Sequence, residues 1–154
     1  MVCTVVGHQT HKITTMAKIE NIHLLEDVFG YFPSFHDAEV LRIVLDRESN
    51  GLLPTLEALI HVFEMTSEVR DRKYVLKNHT LVMFQFQEID GIELNGFNHQ
   101  NVLQGLSIKD ISDRQLESLK FDVTFDGVFG VDASFKCRAI TIVSVAPFQT
   151  NSLP

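Results

Sequence analysis

The residues best suited to chemistry lie in one short segment, Ser34-Phe35-His36-Asp37-Ala38-Glu39, which places one imidazole beside two carboxylates. A His-Asp dipeptide is typical of metal-dependent phosphohydrolases. Such sites need further His and Asp ligands on several helices, and this chain has one predicted long helix. We therefore favour a structural role, in which His36, Asp37 and Glu39 bond backbone donors and fix a turn. A small metal-dependent hydrolase built on these three residues stays open as an alternative function.

The other histidines do not form a metal-binding pattern. His61 and Glu64 are three residues apart, a spacing that puts them on opposite faces of a strand. We therefore predict that His61 is a partly buried histidine on the same face as Phe63. His79 and His99 lie in or beside predicted loops, and their positions alone indicate no ligand set.

The two cysteines, Cys3 and Cys137, form neither a disulfide framework nor a Cys-x-x-Cys pair, which indicates a reducing compartment. Cys137 alternates with Phe135 and Ala139 on an apolar face, where a thiol behaves as a small hydrophobe. Nucleophilic catalysis by Cys137 is therefore not predicted.

Length and charge limit the classes of function. A chain of 154 residues suits one domain with one core. The net charge of -7, with no run of basic residues longer than Arg72-Lys73, which follows Asp71, argues against a nucleic-acid partner, because such binding needs clustered Lys and Arg. No apolar run approaches the ~18 residues of a membrane span, and the first fifteen residues lack the features of a secretory signal. We therefore expect a cytoplasmic protein without a membrane partner. We expect no cofactor, because the sequence has no phosphate-binding glycine loop.

Periodicity places the His36 segment directly after a helix. Residues 1–16 show no repeating apolar pattern and are predicted to be an extension outside the domain, with a strand over Val2 to Val6 as the competing interpretation. From Ala17 onward, apolar residues recur at helical spacing and predict an amphipathic helix. Gly30 can end this helix and Pro33 cannot extend it, so the chain must turn before His36.

Alternating apolar residues predict the strands. Glu39 to Arg47 and Leu56 to Met65 are expected to form a hairpin, with Leu41, Ile43 and Leu45 toward the core. The remaining predicted segments are a polar loop over Glu68 to Asn78, a strand over Thr80 to Gln87 with Phe84 and Phe86 in the core, a short strand over Ile92 to Phe97, an irregular stretch over Asn98 to Ser112, and a long hairpin of Leu119 to Asp126 with Phe135 to Val145. Together they predict one α+β domain over residues 17–150, a mainly antiparallel sheet of about five to six strands with the N-terminal helix packed on one face.

Several segments also carry a family likeness. They are Phe32 to Val40 (FPSFHDAEV), His61 to Met65 (HVFEM), Leu94 to Leu103 (LNGFNHQNVL), and Phe135 to Ile140 (FKCRAI) followed by Val145-Ala146-Pro147. These segments resemble the immunity protein 50 family, a bacterial group associated with polymorphic toxin systems. That family often has Trp before the proline, where this chain has Phe32, a mild departure that casts little doubt on the fold.

The resemblance implies an α+β fold and a protein that binds a cognate toxin domain and blocks it without catalysis. An acidic protein suits such a role, because toxins that act on nucleic acid often carry a basic surface. The candidate structural or recognition cluster is Ser34, His36, Asp37, Glu39, His61, Asn98 and Asn101. A non-enzymatic scaffold that recruits a partner by adding a strand to an open sheet edge also stays open.

Overall fold

The computed structural model describes residues 18–48, 51 and 53–149. The predicted extension over 1–16 and the turn at Asn50 lie outside these residues. The described elements are α1 (His23–Phe29), β1 (Glu39–Asp46), β2 (Thr55–Arg70), β3 (Lys73–Gln87), β4 (Asp90–Asn95), β5 (Val102–Asp110), a short 3-10 helix (Ser112–Arg114), β6 (Phe121–Phe129), β7 (Asp132–Cys137) and β8 (Ala139–Pro147). No helix among them is long and apolar enough to cross a membrane.

The eight strands form one sheet in the order β4-β7-β6-β5-β1-β2-β3-β8. Each neighbouring pair is antiparallel, which confirms the predicted sheet type. The predicted strand number was too low for two reasons. The stretch Asn98 to Ser112, predicted to be irregular, contains β5, whose pairing with β6 shifts register twice and so disrupts the apolar alternation. The run Phe135 to Val145 also divides at Arg138 into β7 and β8.

The division at Arg138 lets the sheet fold over on itself. β3 pairs with β8, and beyond a kink the same two stretches of chain pair again as β4 and β7. At the kink, the Arg138 backbone N–H donates to the Gln87 carbonyl at 2.9 Å, and Arg138 Nε lies 2.9 Å from Glu88 Oε1. The sheet therefore has two halves, β4-β7-β6-β5 and β1-β2-β3-β8.

The two halves enclose a phenylalanine-rich core. Phe86 of β3 packs on Phe125 and Phe135 from the other half, with ring centroids 5.9 and 5.0 Å apart. Phe84 also contacts Phe35, at 5.6 Å, so the core reaches the segment before β1. The predicted burial of Phe84 and Phe86 is confirmed. Each aromatic pair adds roughly 0.5–1.5 kcal/mol to the free energy gained from burial.

Helix α1 is shorter than predicted at its start. It begins at His23 rather than near Ala17, because the chain just before it pairs with β8. The Glu20 N–H donates to the Ile140 carbonyl at 3.0 Å, and Asn21 is left-handed, with φ of 61°. Glu20, which is paired with β8, and Asn21, which is left-handed, cannot belong to a right-handed helix, so the helix starts after them.

The end of α1 is where the sequence predicts it. Gly30 has φ of 78°, and its N–H donates to the Glu26 carbonyl at 2.7 Å. Leu25 and Phe29 are buried in the core, whereas Val28 is exposed. The helix therefore packs on the core by one narrow face, and it ends just before the candidate segment.

The predicted core face of β1 is correct only in part. Val40, predicted on the opposite face, is buried, and the pairing with β2 shifts register just after it. Beyond this shift Ile43 is partly buried and packs on the core opposite buried Ala58, whereas Leu41 and Leu45 are exposed. A bulge adds one unpaired residue and reverses the faces beyond it, which a pattern read along the sequence does not reveal.

The predicted loop over Glu68 to Asn78 is wrong. β2 and β3 continue as a hairpin to a turn at Asp71 and Arg72, whose φ angles are 49° and 64°. We call residues 64–77, the part of this hairpin that extends past the core, the arm. Its side chains are mostly exposed on both faces, so the apolar alternation that marks a strand is absent there.

Candidate recognition site

The segment between α1 and β1 has an unusual backbone. Phe35 and Asp37 both have φ of 61°. This conformation is a true outlier for a bulky side chain, and such residues cost roughly 1–3 kcal/mol each. Phe35 is held there because its ring is buried between Phe32 and Phe84, with centroids 5.6 Å from each. Burial of Phe35 therefore turns the residues that follow it outward.

Backbone hydrogen bonds attach this segment to β5. The Asp37 N–H donates to the Leu103 carbonyl at 2.9 Å, and the Leu106 N–H donates to the Ser34 carbonyl at 3.3 Å. Ser34 Oγ accepts the His36 N–H at 3.3 Å. Ser34 thus closes the turn locally, and β5 fixes its position on the sheet.

His36 and Asp37 present their side chains to solvent, with 53% and 40% of their side-chain areas exposed. His36 Nδ1 is 3.0 Å from the Gln104 carbonyl oxygen, which can only accept, so Nδ1 carries a hydrogen. His36 Nε2 is 3.6 Å from Asp37 Oδ2. A neutral imidazole has its single hydrogen on Nδ1, so it offers the Asp37 carboxylate no donor.

The predicted backbone-fixing role belongs to Asn101 rather than to Asp37 or Glu39. The buried Asn101 Oδ1 accepts the N–H groups of Asn98 and Val131 at 2.9 and 3.2 Å. Its Nδ2 donates to the carbonyls of Asn98 and Val40 at 2.7 and 3.2 Å. One amide therefore connects the start of β1, the loop before β5 and the turn before β7.

Asn98 stabilises the same loop from its exposed side. Its Oδ1 accepts the Gln100 N–H at 2.8 Å, and its Nδ2 donates to the Gly96 carbonyl at 3.1 Å. The packing here leaves no room for a side chain at Gly130, where a Cβ would lie 2.5 Å from Asn101 Oδ1. Asn98 and Asn101 are therefore part of a packed, structural corner.

His61 is part of a different cluster, on the outer side of β2. Its Nε2 lies 2.9 Å from Nδ1 of His79, and Phe148 packs against its ring at 4.2 Å. Burial, followed by the charge of His79, lowers the pKa of His61 to about 4. Glu39 is opposite His61 in the pairing of β1 with β2. The sequence did not identify His79 as the partner, although a hairpin turning at Asp71 would have brought the two histidines together.

A cleft lies between the candidate segment and the base of the arm. Residues 31–37 form one wall, and Phe63, Glu64 and Met65 form the other, enclosing about 430 Å³. Ser34, His36 and Asp37 line this cleft, which we call the recognition cleft. The other members of the sequence-derived cluster lie elsewhere. The sequence pattern had placed Tyr31 in the turn that leads to Ser34, but it had not connected Met65 with this segment.

Neither metal nor thiol chemistry finds support in the described geometry. Within residues 18–48, 51 and 53–149, no three His, Cys, Asp or Glu side chains are grouped closely enough to hold a metal ion. Cys137 is fully buried, and burial raises the pKa of its thiol to about 12. A thiol that stays protonated is a poor nucleophile, so this cysteine packs rather than reacts.

The comparisons with known proteins agree with the family resemblance. The family model described as Immunity protein 50 matches residues 21–148, a range that includes α1 and all eight strands. Neither a curated protein nor a solved structure matches the chain. The match covers most of the sequence and every element that builds the recognition cleft, and this chain therefore belongs to the immunity protein 50 family.

Proposed function

We propose that this protein binds a cognate toxin domain and blocks its activity as a stoichiometric inhibitor, without catalysis. The observation that carries the proposal is the family match over residues 21–148. An inhibitor of this kind needs a rigid scaffold and an exposed recognition surface, but no reactive groups. The proposed setting is a bacterial polymorphic toxin system, with the inhibitor in the cytoplasm where the toxin acts.

The charge of the chain supports a basic partner. A net charge of -7 favours rapid association with a positively charged surface, because long-range attraction steers the encounter. Toxins that cleave or modify nucleic acid need such a surface to bind phosphate groups. An acidic inhibitor can therefore occupy the surface that the toxin uses for its substrate.

Within the candidate cluster, His36 and Asp37 are proposed to contact the toxin. Both side chains are exposed, and the backbone that presents them is strained at Phe35 and Asp37. Strained backbone persists where the surrounding structure holds it, and it is concentrated at functional sites. The side-chain amide of Asn101, in contrast, makes all its hydrogen bonds to backbone groups of the fold.

The test is co-expression with the protein encoded by the neighbouring gene. We expect that protein to stop growth when expressed alone, and we expect this chain to restore growth and to co-purify with it. If the neighbouring product neither stops growth nor binds, the proposal loses its support.

Stoichiometry separates inhibition by binding from enzymatic inactivation. When purified toxin is titrated with this protein, toxin activity should fall linearly and reach zero at one equivalent. Inactivation by a small fraction of an equivalent would mean that this chain is an enzyme and would contradict the proposal.

A further inference from the structure

One face of the arm is apolar although it lies outside the core. Met65 pairs with Leu76 and Val69 pairs with Tyr74, and paired residues of antiparallel strands share a face. Tyr74 and Leu76 are two residues apart on β3, so both pairs lie on the same face. These four side chains are 37–59% exposed. A two-stranded arm gains little stability by itself, and an exposed apolar face of this kind marks a contact with another molecule.

This apolar face is continuous with the recognition cleft. Met65 belongs to the arm and also lines the cleft, and Tyr31 lies on the opposite wall with 52% of its area exposed. The cleft and the arm face therefore form one surface, with aromatic and thioether groups beside the carboxylates of Asp37 and Glu64, whose side chains are 40% and 25% exposed. This composition resembles the centre of a protein interface more than a site for a small anion.

The two carboxylates that line the cleft, Asp37 and Glu64, have unused acceptor capacity. The one described side chain that approaches the Asp37 carboxylate is His36, whose Nε2 lies 3.6 Å from Oδ2, beyond hydrogen-bonding distance. Glu64 Oε2 accepts from Asn78 Nδ2 at 2.9 Å and lies 3.7 Å from Lys77 Nζ, whereas Oε1 has no described donor. A cation with several N–H groups would match both carboxylates.

We infer that the recognition cleft receives an arginine or lysine side chain of the toxin, and that the apolar face of the arm packs on the toxin surface around it. This inference rests on the proposed function. The charged head would lie between Asp37 and Glu64, in charge-assisted hydrogen bonds. Its aliphatic stem would contact Met65, and the ring of Tyr31 offers a face for the cation.

The test uses the complex with an inactivated form of the neighbouring toxin, measured by calorimetric titration. The variant Asp37→Asn removes the charge, and asparagine tolerates the positive φ at this position. Glu64→Gln keeps an acceptor for Asn78. We expect the double variant to weaken binding at least about tenfold and to reduce the loss of affinity between about 0.05 and 0.5 M NaCl.

The arm is tested separately with Tyr74→Ser, for which we also expect about a tenfold loss of affinity. The matched controls are Asp113→Asn and Phe129→Ser, which alter an exposed carboxylate and an exposed aromatic ring that do not line the cleft. All variants should keep their melting temperatures, because the altered side chains are exposed or keep their local bonds.

The outcomes distinguish this inference from the proposed function. If the unaltered protein does not bind the toxin, the proposed function fails. If it binds and the double variant binds equally well, the cleft does not hold a cation and the inference is overturned. A dimer of this chain that Tyr74→Ser dissociates would assign the arm face to a second copy and would also overturn it.

Discussion

At the scale of single residues, the buried Asn101 side chain holds three separate segments of the chain together. Replacing it by Ala would leave a buried N–H group at Val131, a buried carbonyl at Val40 and a partly buried N–H group at Asn98 without their partner. We expect Asn101→Ala to lower the free energy of unfolding by about 2–4 kcal/mol, because each buried group left unpaired costs about 1–3 kcal/mol and partial relaxation offsets some of it. Urea unfolding measures the change.

The control for Asn101 is Asn98→Ala. Asn98 makes its side-chain bonds at the exposed edge of the same loop, where water can replace them. We expect a loss of less than about 1 kcal/mol. Equal losses for the two variants would mean that Asn101 is not the residue that fixes this corner.

The His61 and His79 pair makes stability depend on pH. In the unfolded chain His61 takes up a proton near its ordinary pKa of 6.5, but in the folded protein it does so only near 4. The unfolded state therefore binds more protons between these values, and stability falls as the pH falls through this window. The full shift corresponds to roughly 3 kcal/mol, which solvent access to the half-buried ring reduces to roughly 1–2 kcal/mol.

The variant His61→Gln tests this dependence. It removes the titrating group, so its free energy of unfolding should change less between pH 6.5 and pH 4 than that of the unaltered protein. His99→Gln, which alters an exposed histidine, serves as the control and should keep the original pH dependence. Parallel pH profiles for the unaltered protein and His61→Gln would contradict the assignment.

The sequence identified part of the candidate site at this scale. His36 and Asp37 could be found because reactive residue types occur together in a turn between two predictable elements. The roles of Asn101 and His79 depend on hydrogen bonds to residues distant in the chain, such as Val131 and His61. Residue type and spacing in the sequence therefore do not predict those partners.

At the scale of elements, the turn of the arm contains avoidable strain. Asp71 and Arg72 both have positive φ, which suits Asn-Gly much better than Asp-Arg. We expect Arg72→Gly to raise the free energy of unfolding by about 0.5–1 kcal/mol, because glycine adopts this conformation without a steric penalty. Thermal unfolding followed by circular dichroism measures the change.

The matched control for the turn is Lys73→Gly, one residue further along. Lys73 lies in β3 with an ordinary strand backbone, so glycine there should lower stability by about 0.5–1 kcal/mol. If both variants change stability in the same direction, the positive φ at Arg72 is not the source of the effect.

Elements were predictable where one face of a strand meets the core. Phe84 and Phe86 alternate with partly exposed residues, and β3 was located from that pattern. The pattern predicts the wrong face at Val40, just before a bulge, and it is absent in the arm, where both faces meet solvent. Apolar alternation therefore indicates a strand with one buried face, and it cannot identify a strand whose two faces are both exposed.

At the scale of the whole molecule, Phe86 joins the two halves of the sheet. Its ring contacts Phe84 in its own half and Phe125 and Phe135 in the other. We expect Phe86→Ala to lower the free energy of unfolding by about 3–5 kcal/mol, since it removes a fully buried ring from a packed core. Denaturant unfolding measures the loss, and one transition should be seen by both circular dichroism and tyrosine fluorescence.

The control for Phe86 is Phe97→Ala, which removes a ring of the same size that is 46% exposed. We expect a change of less than about 1 kcal/mol. Comparable losses at the two positions would show that the halves do not share one core.

The class of the fold was predictable, but its closure was not. A helix followed by hairpins correctly indicated an α+β domain with an antiparallel sheet. The order of strands depends on the chain at Arg138, where β7 ends and β8 begins to pair with β3. Packing, and not nearness in sequence, determines this pairing. Local patterns therefore favoured one continuous hairpin at that position.

The pairing of β3 with β8, which are distant in the chain, has a consequence for how soon a new chain could perform the proposed function. β3 ends at Gln87 and its partner ends at Pro147, so the ribosome must add the whole of that interval before the sheet can close. At ordinary translation rates this takes roughly 3–12 s. Under the proposed function, a newly made chain that must be folded to bind would give no protection during that time, and protection would come from chains completed earlier.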